Sequence, residues 1–156
     1  MPSKAKITVD WLFNSEEKGV PYALPGENIR IRCKGIDSES EVNRGNILCS
    51  NDNLCLTFNV FEAEIHVLEL PNNLIIAEGF NCILHYHTFI EECSITPKTE
   101  INVKTKAETK VKFVRSQSRI KASVKTKNVL CGEKYETFNN LGRFSMRYEG
   151  STIAIG

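Results

Sequence analysis

The chain has 156 residues, 41% of them hydrophobic, and a net charge of +1. That length allows one or two small domains, and the near-neutral total excludes any choice of partner on global charge alone. The charge is unevenly spread: residues 1–97 hold seven basic and fourteen acidic residues, whereas 98–127 hold ten basic residues against only Glu100 and Glu108.

Ile7 to Phe13 is rich in β-branched and aromatic residues and reads as the first strand. Asn14 to Gly19 is a polar turn. In Ala23-Leu24-Pro25-Gly26-Glu27-Asn28 the proline presets φ and Gly26 accepts a positive φ, so a second turn is expected. Asn28 to Gly35 alternates, with Ile29, Ile31 and Cys33 inward and Arg30, Arg32 and Lys34 outward. Gly45 to Cys49 is expected to be a short third strand. The polar cluster Ser50 to Asn53 marks a boundary, which gives domains 1–50 and 51–156.

A longer strand series follows. Phe58 to Leu70 puts Phe61, Ala63, Ile65 and Val67 on one face and Glu62, Glu64 and His66 on the other. An Ala77-Glu78-Gly79 turn leads to a strand over Phe80–His87, and a further strand runs from Phe89 up to Pro97. Ile101 and Val103 lead into the lysine-rich stretch from Lys104. Arg119 to Lys127 sets Ile120, Ala122 and Val124 against Arg119, Lys121, Ser123, Lys125 and Lys127. A Cys131-Gly132 turn precedes the last hairpin. There Phe144, Met146 and Tyr148 share one face and Arg143, Ser145 and Arg147 the other. Glu149-Gly150-Ser151 turns the chain, and Ile153 and Ile155 continue the apolar row. No window shows a 3.6-residue apolar period. Short strands of even spacing indicate an all-β fold, either a closed barrel or a two-sheet sandwich.

Little in the chain points to chemistry. His85 and His87 are two residues apart, which would put both imidazoles on one strand face. His66 is the only other histidine and no further ligand pattern completes a metal set, so no metal is expected. Cys82 and His85 fall on opposite faces, and no G-x-S-x-G elbow exists. Glu91 and Glu92 are adjacent, so they are not a catalytic pair and are expected to face solvent. The six cysteines contain no C-x-x-C pair and follow no signal-peptide core, since Met1-Pro-Ser-Lys-Ala-Lys6 is polar. Free thiols in a reducing cytosol are the expectation, with a disulfide framework as the alternative. No apolar run approaches the roughly 20 residues of a membrane span. No G-x-x-x-x-G-K-[ST] phosphate loop occurs, so neither nucleotide nor other cofactor is expected. The basic segment Lys98 to Lys127 is either a solvated face or a contact for phosphate backbone or an acidic partner. Phe113 is its only aromatic, which argues against base stacking.

The closing stretch carries the most specific signal. Gly142, Arg143, Phe144, Arg147, Gly150, Thr152, Ile153, Ala154 and Gly156 fit the pattern Gly-Arg-Phe-x-x-Arg-x-x-Gly-x-Thr-Ile-Ala-x-Gly. It resembles the C-terminal barrel of eukaryotic translational GTPases of the elongation factor one alpha type. Phe61-Glu-Ala-Glu-Ile65, Ala77 to Thr88 and Ile90 to Cys93 resemble the first strand and central hairpin of that barrel. Pro25 to Ile31, Lys34-Gly35-Ile36 and Arg44 to Cys49 resemble part of the preceding barrel.

The resemblance implies a closed six-stranded Greek-key-type barrel preceded by a partial second barrel. The Ser38-Glu39-Ser40-Glu41 loop and Ile90-Glu91-Glu92 look most like the release factor GTPase of translation termination. Tyr86 and Arg147-Tyr148 lean toward its sister, the ribosome-rescue GTPase. By resemblance the last barrel docks a decoding release factor, with Arg143, Phe144 and Arg147 as the first contacts expected and His85 and His87 as weaker ones. Such a factor works on the ribosome, where the basic segment could meet rRNA phosphate. The GTPase domain and half of the middle barrel have no counterpart here, and a half-barrel leaves an open sheet edge.

Overall fold

The computed structural model describes residues 5–36, 42–102 and 104–156. Ser38 to Glu41, Val103 and the Met1 to Lys4 start lie outside the described residues. There are two compact units, one within 3–43 and one spanning 44–156.

In the first unit, β1 (Thr8–Phe13), β2 (Gly19–Val20) and β3 (Arg30–Lys34) form an antiparallel sheet in the order β2-β1-β3. The turn before β3 has Gly26 at φ 93, and the Glu27 N–H donates to the Leu24 carbonyl at 3.2 Å. Ile29, Ile31 and Cys33 are half-buried while Arg30, Arg32 and Lys34 are exposed, the alternation their spacing predicts.

The second unit is the barrel. Its strands are β4 (Leu56–Val67), β5 (Ile76–Ala77), β6 (Phe80–Tyr86), β7 (Phe89–Ile101), β8 (Glu108–Lys110), β9 (Phe113–Val114), β10 (Arg119–Gly132), β11 (Phe144–Tyr148) and β12 (Ser151–Ile155). Six of them pair in the order β10-β4-β12-β11-β6-β7, and β7 pairs back onto β10. All these pairings are antiparallel. The ring is closed, which decides between barrel and sandwich and removes the sheet edges. β8 extends the ladder of β7, and β5 and β9 make a separate two-stranded ribbon.

Closure gives alternate residues a common interior. Ile65, Val67, Leu84, Ile95, Ile120, Val124, Met146 and Ile153 are all at most 1% exposed. Each such side chain contributes roughly 1.5–3 kcal/mol on leaving water. One end of the barrel is filled by Phe58, Phe61, Tyr86 and Phe144, with edge-on rings for Phe61 against Phe144 and a stacked pair for Tyr86 and Phe144.

Several local expectations are corrected by the structure. Gly45 to Cys49 is not a strand. Gly45 takes φ 90, and its N–H donates to the Thr88 hydroxyl at 3.1 Å instead of entering a ladder. β7 does not stop at Pro97 but runs to Ile101. It passes the proline through a register shift, where a residue lacking an N–H is tolerated. Cys131 and Gly132 are not a turn but the buried end of β10. A Cβ on Gly132 would lie 2.5 Å from the Tyr86 hydroxyl, so the ring needs the glycine. The closing hairpin starts at Phe144, after a short helix α1 (Asn139–Gly142).

Candidate functional site

β11 and β12 meet across a two-residue turn, with Tyr148 opposite Ser151 and both Glu149 (φ 47) and Gly150 (φ 82) in the left-handed region. That is the geometry two-residue hairpins favour. The pairing then slips between Met146 and Arg147, so that Ala154 faces Met146 and Thr152 faces Arg147. Ile153 is the extra residue of this bulge. Ile153 and Ala154 both point into the core, fully buried, while Ile155 turns outward and is 45% exposed. The expected inward row of Ile153 and Ile155 is therefore broken.

The bulge has a consequence on the outer surface. Strand register lines up Ile90, His85, Ser145, Ile155 and His66 as successive partners across β7, β6, β11, β12 and β4. One step along, Glu92, Ile83, Arg147 and Thr152 form a second row. Neighbouring strands are about 4.8 Å apart, so four strands span roughly 15 Å. Ile83, Ile90 and Ile155 are 39%, 57% and 45% exposed. The result is an apolar patch flanked by an arginine, two histidines and a carboxylate.

Arg143 and Arg147 are both held in place. Arg147 donates from Nη2 to the Gly150 carbonyl at 2.7 Å, bracing the hairpin turn. Arg143 donates from Nη2 to the Asn140 side-chain oxygen at 2.6 Å and from Nε to the Asn139 carbonyl at 3.3 Å, bracing α1. Both side chains remain exposed. A guanidinium has five N–H donors, so each keeps donors directed at solvent. Phe144 is different: it is 7% exposed and belongs to the aromatic end of the core. The Gly156 backbone exchanges two hydrogen bonds with it, and a Cβ on Gly156 would lie 2.3 Å from its ring.

The two histidines do not share a face. His85 is half-buried on β6. His87 lies in the turn between β6 and β7, at φ 44. Its Nδ1 accepts the Thr88 N–H at 2.8 Å, so Nε2 carries the proton and donates to the Cys131 carbonyl at 2.9 Å. Both ring nitrogens are thus engaged within the barrel. Among the described residues no cluster of three or more His, Cys, Asp or Glu could hold a metal.

Glu91 is not simply solvent-facing. It is half-buried and accepts from the Asn128 side-chain amide at 2.6 Å and the Asn128 N–H at 3.3 Å. It thereby fills the gap where β10 slips between Lys125 and Leu130. Glu92 is exposed. Tyr86 crosses the same end of the barrel and donates to the Leu141 carbonyl at 2.5 Å; burial, with Cys55 nearby, pushes its hydroxyl up to about 12. The Cys55 thiol, pushed up to about 11 by burial and then by Glu133, donates to the Gly132 carbonyl at 3.3 Å. Cys82 and Cys93 oppose each other in the core, sulfurs 3.5 Å apart, and their contact holds the Cys82 thiol protonated.

Strand spacing alone did not single out Ile83 and Ile90. The signal was available: β6 buries Cys82, Leu84 and Tyr86, so Ile83 had to face out. The role of Ile155 was hidden by the bulge.

Residues 60–156 match the family described as GTP-eEF1A C-terminal domain-like. The chain is similar along its whole length to the eukaryotic peptide chain release factor GTP-binding subunits of Kluyveromyces lactis (35% identical) and Candida albicans (36%), and spans 22% of each of those relatives. The crystal structure of Sup35 complexed with GDP matches with a TM-score of 0.86 and 29% identity, over 100% of this chain and 38% of that one. Sup35 complexed with GMPPNP matches with a TM-score of 0.83 over 96% of this chain and 36% of that one.

Proposed function

Because the chain belongs to the GTP-eEF1A C-terminal domain-like family, we propose that it is the partner-binding region of a eukaryotic release factor GTPase. In this reading the barrel docks the stop-codon-reading release factor during translation termination. The observation that supports it most is the outer patch of Ile83, Ile90 and Ile155 beside Arg147, on a chain alignable in full with release factor subunits. Exposed apolar side chains around an anchored arginine suit the apolar, charge-depleted centre of an interface, where arginine is the enriched cation. Arg143 marks one border and His85 lies inside the patch. Phe144 acts from within, setting the position of β11 through its exchange with Gly156. His87 sits at the turn beside it.

In the same reading 1–50 is part of a middle barrel, and ribosome contact, like cytosolic location, belongs to the longer protein. The role here is docking rather than catalysis: no GTPase domain lies in this chain, and the phosphate loop that would cradle GTP has no counterpart in its sequence. A nucleotide titration should be flat.

The test is calorimetry with the stop-codon-reading release factor and, separately, with the decoding protein of ribosome rescue. The release factor should bind, and Ile83→Ser or Arg147→Ala should weaken it about tenfold or more. Arg143→Ala should have a smaller effect. Unchanged affinity in Ile83→Ser and Arg147→Ala would remove the assigned surface, and tighter binding of the rescue protein would assign the chain to the sister GTPase.

A further inference from the structure

Eight of the ten basic residues of 98–127 fall into two groups in the fold, with Lys125 and Lys127 exposed on β10 outside both. Lys98 pairs with Glu62, Arg119 with Glu64 and Lys121 with Glu108. These six side chains form a neutralised ladder on the outer face of β4, β10, β7 and β8. Lys104, Lys106, Lys110, Lys112 and Arg115 are exposed and have no ion-pair partner among the described residues. All five fall within twelve residues, on the β7–β8 hairpin and the segment that follows it.

We propose that this hairpin is a phosphate-binding edge that docks on double-helical RNA. β8 is the last strand of its ladder, with nothing paired on its outer side among the described residues. The cations therefore project from an edge rather than from the closed wall. The tip is ordered by Asn102, whose side-chain oxygen accepts from the N–H groups of Lys104 at 2.9 Å and Thr105 at 3.2 Å. Lys106 turns at φ 55, and its N–H donates to the Asn102 carbonyl at 2.8 Å. Arg115 lies over the exposed Phe113 ring, 5.9 Å from its centroid, which fixes one guanidinium beside the lysines.

The chemistry selects the ligand. A compact group of cations with a single aromatic suits a phosphate backbone rather than a row of splayed bases, which needs several stacking rings. Duplex RNA is bound mainly through its shape, phosphates and 2′-hydroxyls. An anionic bilayer would favour an amphipathic helix with a broad apolar face, and among the described residues of this edge Phe113 is the only exposed large apolar side chain. The choice of RNA over other polyanions rests on the release factor reading, whereas the charged edge stands on its own geometry.

The experiment is fluorescence anisotropy with a short labelled RNA duplex and the whole chain, over a range of salt. One variant replaces Lys104, Lys106, Lys110, Lys112 and Arg115 by Gln. A second changes only Lys104 and Lys106. A third removes five charges from the other unit, at Lys6, Lys18, Arg30, Arg32 and Lys34. Thermal melts check that each is folded. The five-fold hairpin variant should lose about tenfold or more in affinity, and its salt slope should become shallower by several units, about one per lost phosphate contact. The tip pair should lose part of this, and the charge-matched control should stay within about threefold. Failure of the wild-type chain to bind duplex RNA would overturn the proposal. So would equal losses in the hairpin and control variants, or tighter binding to anionic vesicles than to RNA. The hairpin variants should still bind the release factor, so loss of docking by Ile83→Ser and loss of RNA binding are read separately.

Discussion

The two units share an alternating apolar pattern and use it differently. In the barrel the alternate residues of six strands close on one another, and Val67, Leu84, Val124, Met146 and Ile153 reach 0% exposure. In the three-stranded sheet the same alternation yields only half-buried side chains. Trp11 stays 54% exposed and Tyr22 70%, and no described residue of that unit is buried. Alternation therefore fixes which way a side chain points, while burial needs a second layer to meet it. A ring supplies that layer from its own opposite wall.

The largest expected effect follows directly. Leu84→Ala or Met146→Ala should destabilise the barrel by about 2–5 kcal/mol in a urea melt, because the surrounding ring cannot collapse onto the cavity. Ile31→Ala, on the half-buried face of β3, should cost about 1 kcal/mol or less. An equal loss at Ile31 would mean that the sheet is covered as completely as the barrel interior, and the contrast would fail.

Next comes a glycine where backbone meets backbone. A Cβ on Gly142 would lie 2.4 Å from the Tyr135 Cα and 2.5 Å from its nitrogen. Neither atom is the flexible end of a side chain. Gly142→Ala should cost about 2–3 kcal/mol and displace α1, seen as loss of the Tyr135 and Leu141 amide positions in an NMR spectrum. A neutral outcome would show that the corner ahead of β11 gives way, unlike the closed wall behind it.

Much of the barrel was legible because strand pattern is local. Phe61 to Val67, Ile120 to Val124 and Phe144 to Met146 all take the faces their spacing predicts. What spacing could not supply were the register slips. The bulge at Ile153 reversed Ile155, and the gap between Lys125 and Leu130 recruited Glu91. Both depend on partners far along the chain. His87 left the strand face because the two-residue turn falls on it, a position fixed by the Tyr86–Phe89 pairing. The basic segment showed its charge in sequence but not its division, since Glu62 and Glu64 lie over thirty residues away from the cations they pair with.

A smaller effect separates the aromatic end of the barrel from the sheet by pH. Tyr86→Phe removes the donor to the Leu141 carbonyl and should cost about 1–1.5 kcal/mol at neutral pH. The Tyr86 hydroxyl and Cys55 thiol have raised values in the folded chain, so the fold keeps protons that the unfolded chain releases. Their stabilisation is complete below the ordinary values of 10.0 and 9.0 and is lost as pH rises through about 12 and about 11. Wild type should therefore lose stability steadily over that alkaline window, and Tyr86→Phe should lose less. Parallel pH profiles would show that the hydroxyl is not held as the geometry requires.

The smallest effect is expected on the barrel's outer wall. Lys98 and Lys121 hold the Glu62 and Glu108 carboxyls below the usual carboxylate range, mainly through direct hydrogen bonds. A depressed carboxyl contributes stability above its unfolded value and gives it up as pH falls through the folded one. These side chains are open to solvent, where such pairs contribute little. Glu62→Gln should lower the melting midpoint slightly at neutral pH, and the difference from wild type should vanish in acid and in about 1 M salt. A difference that persists in salt would place the ladder among the barrel's structural supports. It would also weaken the contrast with the hairpin cations, which have no carboxylate paired with them among the described residues.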